Sequence, residues 1–543
     1  MTRFTTSLLL LLFLNLTAFG QTPKDKGLQT ITMKSVKSPV QFLASDQLEG
    51  RMAGTKQGQI AGEYVASLFS FIGLEPVGDS VSFKPDRYQK LLGAEKRKTT
   101  SFSQPFQAIE VTPDTIQKLA LVTTSDKSTL KKEYAYKADF RVTIPNGSSQ
   151  ISAPVVFVGY GLTDEKSGYD DFNKVDVKNK IVVRWAGLPG DGFQNSQAAK
   201  AITGPEGRVL ERLKNKQAKE HGALAILEVA SGTQISHWNA NQYYFHNTMY
   251  EGVKKRKSFY DKRVYLPNTG DGNIPVIYIS PSVFSDIMGP EFQNTQARKK
   301  ASELKNVSQA VSGKTIELAI NTRNRRLQLR NVLGKIEGKE KNKFIVIGAH
   351  YDHLGIHDGY IWNGADDNAS GVSAVLNIAK AMLASKVQPE YTILFACWDG
   401  EERGLLGSHY FVNHWSNMDE IMAYLNFDMI GRNAGPEAPD NQVTMIYSKA
   451  FQPAVTLSKQ HISDYNLNLD VSYNGSEKPD SGSDNVWFVK DNVPLFWFHT
   501  GGQPDYHQPT DVPEMINYTK MANIIRLSYL DIFELSTNPE SWK

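Results

Sequence analysis

A single cysteine, Cys397, occurs in 543 residues, so no internal disulfide can form and stability must come from core packing or bound metal. Charge of one sign is also scarce. Lys plus Arg total 60 against 57 Asp plus Glu, a formal net charge of +3. Without a concentrated basic balance, nucleic acid is excluded as the expected partner. The apolar run from Leu8 to Leu16 falls well short of the roughly 20 apolar residues a spanning helix needs, and no later segment reads as a membrane span. There is no G-x-S-x-G elbow and no G-x-G-x-x-G fingerprint, which leaves a serine hydrolase or a dinucleotide enzyme without support. No repeat period or low-complexity tract is visible.

What is present begins with "MTRFTTSLLLLLFLNLTAFGQ": one early positive charge, an apolar stretch, then small residues at Ala18 and Gly20. This reads as a secretory signal over residues 1–20, cleaved on export to the periplasm or the extracellular space. The remaining length predicts two or three domains. Residues 40–76 carry a helical apolar pattern after a Gly-rich turn, with Ile60, Tyr64, Val65, Leu68 and Phe69 on one side. From 116 to 321 the texture becomes strand-rich, with "APVVFVGYG", "KIVVRWAG" and "IPVIYIS", and reads as a separate domain. Residues 248–263 and 323–343 are charge-rich and predict exposed loops or links.

From Asn331 onward strand and helix alternate. "KFIVIGAH" is a buried strand, and "SGVSAVLNIAKAMLA" is a helix with Val372, Val375, Leu376, Ala379 and Leu383 on one face. "YTILFAC", "MAYLNFDMI" and "VPLFWFHT" are further strands. The alternation predicts an α/β fold with a mostly parallel, doubly wound sheet, whose ligand crevice lies beyond the carboxyl ends of the strands. Those ends carry the chemistry. His350 and Asp352 follow the first strand, Glu401 and Glu402 the second, Asp428 the third, and His507 the last, while Asp366 and Asp367 lie between the first strand and its helix.

Singly, each acid is an ordinary turn or capping group. Packing gives no reason to gather them with two imidazoles on one rim, where the carboxylates would repel one another. Cations resolve the repulsion, and His with carboxylate is the ligand mix of zinc or a similar divalent ion. Two such ions balance three ligand carboxylates and a hydroxide. One glutamate of the adjacent pair is then free to move protons as general base. His350 and Asp352, two apart on an extended segment, can share a face, so Asp352 can orient the imidazole from behind.

The stretches "GAHYDHLG", "NGADDNASG", "WDGEERGLLGS", "LNFDMIGR" and "PDYHQPTD" resemble, in order and over some two hundred residues, the secreted di-zinc aminopeptidase family that includes the glutamate carboxypeptidase and transferrin-receptor branches. "LASDQLEGRMAGT" is similar to the start of such enzymes, and residues 116–321 resemble the protease-associated domain often inserted in them. The resemblance implies a zinc exopeptidase domain in two parts, 21–115 and 322–543, around the 116–321 insertion. It implies two zinc ions, one held by His350, Asp367 and Asp428, the other by Asp367, Glu402 and His507, with Asp367 shared. Glu401 matches the general base, and Tyr506 matches a position that helps polarise the substrate carbonyl or simply packs. Relatives often read Ser-Asp-His where this chain has Ser483, Asp484 and Asn485, which bears on the substrate pocket rather than on the metals.

The implied activity is removal of the N-terminal residue from peptides with a free amine. The alternatives on the same site are a carboxypeptidase, which would need an arginine for the terminal carboxylate, cyclisation of N-terminal glutamine, and a peptide-binding protein without turnover. Arg403 and Arg432 lie near the motifs and read as structural or rim charges. His353, His357, His409, His414 and His499 carry no assigned role, and Trp362 is either a pocket or a packing residue.

Overall fold

Strand β3, Glu340–His350, is apolar on both faces because both are covered: Ile345 and Ile347 enter one core, and Val346 enters the other. In this computed structural model, which describes residues 21–83, 86–91, 97–142, 147–165, 167–190, 208–230, 242–244, 254–256, 262–267, 274–480 and 482–542, β3 is central to a ten-stranded sheet. The signal reading of residues 1–20 lies outside the described residues.

The other strands of the sheet are β1 (Ser103–Pro113), β2 (Thr322–Ile336), β4 (Tyr391–Trp398), β5 (Ile421–Phe427), β6 (Gln442–Ser448), β7 (Asp470–Ser476) and β8 (Leu495–His499). Their order is β1-β2-β4-β3-β5-β8-β6-β7, with the short strand Arg263–Tyr265 outside β1 and Glu75–Pro76 paired to β2. The centre β4-β3-β5-β8 is parallel. The pairs β1·β2, β2·β4 and β8·β6 are antiparallel. The outer pair β6·β7 is parallel as well, with the helix Gln452–Asp464 as its crossover. The expectation of a mostly parallel sheet therefore holds for the centre and for this pair, and fails at the three antiparallel pairings, which need no helical crossover.

Helices α1 (Met33–Leu43), α2 (Lys56–Ile72), α3 (Gly371–Ser385) and α6 (Tyr518–Thr537) pack into one core with Ile345, Ile347 and Phe395. On the opposite face, α4 (Leu406–His414) and α5 (Asn485–Lys490) pack on Val346, Leu394 and Trp398. Thr55 caps α2 by accepting the Gly58 amide, which starts the helix right after the Gly-rich turn. Its buried line is Ala61, Val65 and Phe69, whereas Ile60, placed on that face by the sequence pattern, is 40% exposed. Small residues line the contact, so the buried face is centred one position further round than the bulky residues suggest.

The charge-rich stretch 323–343 is not a loop. Residues 323–336 lie in β2, where Leu327, Leu329, Val332 and Leu333 are buried among exposed arginines, and 340–343 open β3. The charges marked the solvent face of a strand rather than a link. Residues 248–263 lie mostly outside the described residues.

A second sheet of eight strands is built from residues 118–320. Its middle, Ser149–Phe157, Ile181–Trp185, Ala225–Val229 and Val276–Ile279, is parallel, with the helix Arg208–Glu220 as a crossover. This region is thus itself α/β rather than merely strand-rich. Among the described residues, no helix is long and apolar enough to cross a membrane.

Gly348 shows how tightly the central strands close below the crevice. A Cβ there would stand 2.6 Å from both Trp398 Nε1 and Tyr424 OH. Those two are hydrogen bonded at 2.9 Å, and the Tyr424 hydroxyl donates onward to Asn426 Oδ1 at 2.8 Å. Gly348→Ala is therefore expected to lower unfolding free energy by about 1–3 kcal/mol, as overpacking of a close-packed core does. Denaturant unfolding measures this, and parental stability would contradict the register.

Candidate metal centre

Because β4, β3, β5 and β8 run parallel, their carboxyl ends open on one rim, and the strand order reverses at β3, where a crevice forms. His350 is the last residue of β3, Glu401 and Glu402 follow β4 by three and four residues, and Asp428 directly follows β5. His507 sits in the loop after β8 with a left-handed φ of 53°. Asp367 comes from the turn Ala365–Ser370 between β3 and α3.

That turn is held from outside. The Asp511 carboxylate accepts the amides of Asp366 and Asp367 at 3.0 and 3.1 Å. Asp366 Oδ1 in turn accepts the Gly431 amide at 2.6 Å, tying the turn to the segment after Asp428. Asp367 can thus present both oxygens to the crevice. Its Oδ1 is 3.3 Å from His350 Nε2, and its Oδ2 is 3.1 Å from His507 Nε2. Asp428 Oδ1 lies 3.6 Å from His350 Nε2, Glu402 Oε2 lies 3.1 Å from His507 Nε2, and Glu401 Oε2 lies 3.9 Å from His350 Nε2.

Among the described residues, two groups of side chains could each hold a metal ion: His350, Glu401 and Asp428, and His353, Asp367 and Glu402. The fit can be judged from the atoms. Tetrahedral zinc with bonds of about 2.0–2.1 Å to N and O sets neighbouring ligand atoms roughly 3.3 Å apart, which is the range of the distances around Asp367. The buried His350 Nε2 faces carboxylate oxygens, Asp367 Oδ1 at 3.3 Å and Asp428 Oδ1 at 3.6 Å, a setting that suits a shared cation. His350 Nδ1 donates to the Asp352 carbonyl at 3.2 Å, so a neutral ring would turn a bare Nε2 to the crevice. The residues fit two divalent ions.

The sequence expectation for Asp352 needs amendment. The imidazole is oriented by the backbone carbonyl of Asp352, while the carboxylate is 3.8 Å from the ring and accepts the Glu401 amide at 3.0 Å. One residue thus steadies both His350 and the start of the Glu401–Glu402 turn. His353 was left without a role, yet its Nδ1 is 2.7 Å from Glu402 Oε1 and it is fully buried in the same group. The "HYDH" spacing held that signal: three residues beyond His350, a bridge pairs His353 with Met52.

A cavity of about 210 Å³ opens above the acids, bounded by Asp367, Glu401, Asp428 and His507 on one side and by Met429, Trp497, His499 and Tyr506 on the other. His499 donates from Nδ1 to the Asp428 carbonyl at 2.8 Å. Tyr506 stands half-exposed at the rim with its ring stacked on His507 at 3.9 Å. Partial burial and the four carboxylates raise its hydroxyl above the ordinary range, so it stays protonated as a donor. Trp362 is fully buried and serves packing, and Asn485 is buried with its amide on the Pro479 carbonyl rather than in the cavity wall. Arg403 is paired with Glu110 at 3.0 Å and Arg432 with Asp505 at 2.6 Å.

Without metal the charges compensate one another. Burial opposes a charged His350, but the Glu401 charge and hydrogen bonds to Asp367 and Asp428 outweigh it and hold the ring well above the usual histidine value. His507 is raised in the same way by Glu402 and Asp367 against its burial. Against burial, His350 and His507 hold Asp367 well below the carboxylate range. Burial, with Glu402 and Asp428 nearby, pushes Glu401 well up.

Residues 331–530 match the sequence model of Peptidase family M28. The "probable leucine aminopeptidase 2" of Aspergillus oryzae (strain ATCC 42149 / RIB 40) is 28% identical over 229 residues, 40% of this chain and 42% of that protein. The "Glutamate carboxypeptidase 2 homolog" of Caenorhabditis elegans is 25% identical over 315 residues, 53% of this chain and 38% of that protein. The aligned part thus spans less than half the length of each of these relatives. The aminopeptidase structure from Aneurinibacillus sp. strain AM-1 superposes with a TM-score of 0.54 at 18% identity, covering 95% of this chain and 96% of that one, a likeness of fold.

The raised histidines carry a pH prediction. A group with a raised folded pKa stabilises fully below its unfolded value, near 6.5 for His, and loses that contribution as pH rises through the folded value. The metal-free chain should therefore melt at falling temperature as pH rises above about 6.5. Zinc entry, which requires neutral imidazole, should release protons at pH 7. Calorimetry in two buffers of different ionisation enthalpy reads the release, and its absence would contradict the ion-paired histidines.

Proposed function

We propose that this chain, whose residues 331–530 match the sequence model of Peptidase family M28, is a zinc-dependent aminopeptidase that removes the N-terminal residue of peptides. The residues that would hold the ions are His350, Asp367 and Asp428 for one and Asp367, Glu402 and His507 for the other, Asp367 lying beside both imidazoles, with Oδ1 near His350 and Oδ2 near His507. Two zinc ions held there would supply Lewis acidity toward the scissile carbonyl and the attacking water. Glu401, on the same turn as Glu402 but nearer His350, is the base that takes the proton from water and returns it to the leaving amine. Asp352 steadies it through the Glu401 amide. The Tyr506 hydroxyl, a donor at the cavity rim, would favour negative charge on the carbonyl oxygen in the transition state.

The observation that carries the choice of substrate end is the lack of a cationic side chain in the cavity's described lining, which contains no Lys or Arg. Its carboxylates would be balanced by the proposed ions, so a terminal carboxylate would find no guanidinium or ammonium there to pair with, as a carboxypeptidase requires. The two arginines nearest the motifs are already paired with Glu110 and Asp505, which speaks against a carboxypeptidase. Residues 116–321, which contain the second sheet, are read as the inserted protease-associated domain, and the chain is read as exported.

Free-amine aminoacyl amides, their N-acetylated forms and C-terminally blocked peptides, assayed with and without chelator, test the reading. Chelator-sensitive cleavage of free-amine substrates alone is expected. Cleavage that demands a free C-terminus would move the assignment to a carboxypeptidase. Glu401→Gln should keep its metal and lose at least about 10²-fold in kcat, the usual contribution of a positioned base. Full activity would remove Glu401 from that role.

A further inference from the structure

The motif "LASDQLEGRMAGT" has no part in the ligand set, yet it delivers Arg51 beneath the metal centre. Arg51 is fully buried. Its Nε donates to the Tyr351 carbonyl at 2.7 Å, Nη1 to Leu43 O at 3.0 Å and to Asn363 O, and Nη2 to Gly364 O at 2.7 Å and Asp367 O at 3.2 Å. A guanidinium has five N–H donors, and here all five meet backbone carbonyls. Among the described residues no carboxylate forms an ion pair with it.

The acceptors are informative. Tyr351 stands between His350 and Asp352, Asn363 and Gly364 lead into the turn that carries Asp367, and the fifth acceptor is the carbonyl of Asp367 itself. One rigid planar fork thus joins the end of β3 to the backbone that presents the shared carboxylate. The segment holding Arg51 departs from ordinary backbone to do so. Glu49, Gly50 and Arg51 have φ of 45°, 68° and 38°, a left-handed run that is costly for the two residues with side chains. Gly50 is needed in the middle, because a Cβ there would lie 2.4 Å from Trp362 O and 2.6 Å from Gly355 O.

We propose that Arg51 is a positioning residue of the metal centre, which fixes the distance between His350 and Asp367 by binding the carbonyl of Tyr351, next to His350, and that of Asp367, and whose buried charge offsets the acids around it. This rests on the metal-ligand reading above. A structural cation would ordinarily be paired with an acid or kept at the surface. Arg51 is neither, and its nearest counter-charges are the carboxylates Asp367, Asp352, Asp511 and Glu402 of the centre and its support. Lysine keeps the charge but has three donors on one atom and cannot span these carbonyls.

The test titrates Co²⁺ alone into the full metal-free chain and into Arg51→Lys, following visible absorption, which reports coordination geometry, and melting temperature. The parent should take up two equivalents. Arg51→Lys should bind the second at least tenfold more weakly, with an altered spectrum. Two equivalents bound by Arg51→Lys with parental affinity and spectrum, whatever its melting temperature, would show a merely structural arginine and overturn the proposal. A parent that binds no Co²⁺ would overturn the ligand reading and the role of Arg51 with it. If Arg51→Lys does not fold, Gly50→Ala displaces the same turn by less: weakened second-ion binding supports the proposal, and parental binding overturns it.

Discussion

Like charges held close together in a buried crevice are the constraint on which the rest of the structure depends. At 4 Å and an effective dielectric of about 20, two unit charges repel by about 4 kcal/mol. The crevice brings Asp367, Glu401, Glu402 and Asp428 together, with Asp352, Asp366 and Asp511 buried behind them. No hydrophobic packing offsets such a cluster. Without metal the titrations shift instead: against burial, the surrounding acids raise His350 and His507 above the usual histidine value, and burial raises Glu401 above the usual carboxylate value. Divalent cations would reverse both conditions by competing for the imidazoles and favouring an ionised Glu401.

The fold answers this constraint with backbone more than with side-chain pairs. Four parallel strands place acids and imidazoles on one rim, and the turn that bears Asp367 is gripped from two directions. Asp511 accepts its amides, while Arg51 donates to its carbonyls. The anion thus sits on the amide side and the cation on the carbonyl side, each satisfying groups that would otherwise be buried without partners. The N-terminal segment, distant in sequence, is therefore part of the centre rather than a cover over it. Likewise Asp352 links His350 through its carbonyl to Glu401 through its carboxylate.

The strand ends and their acids were legible in the sequence because buried strands alternate with helices and each strand stops at a charged residue. Of the residues named by the motifs, His350, Asp367, Glu402, Asp428 and His507 stand close together in the structure, and His353, which they did not single out, stands with them. What stayed hidden had no periodic signature. Arg51 lies in a Gly-rich turn whose left-handed backbone no apolar pattern reports, and Asp511 and His353 stood inside recognised motifs without an evident task. Charge density misled at 323–343, where arginines on the outer face of β2 concealed the buried Leu327 and Leu329. Bulk misled at Ile60, because the buried contact of α2 is made by smaller side chains. The antiparallel flanks of the sheet were missed since strand order is a property of tertiary pairing rather than of local sequence.

The central claim is that this crevice exists to hold two cations shared across Asp367. Anomalous X-ray diffraction at the zinc edge, on crystals of the full chain grown with zinc, tests it directly. The account predicts two peaks, one among His350, Asp367 and Asp428 and the other among Asp367, Glu402 and His507. A single peak, or peaks elsewhere with the crevice holding only water, would contradict it.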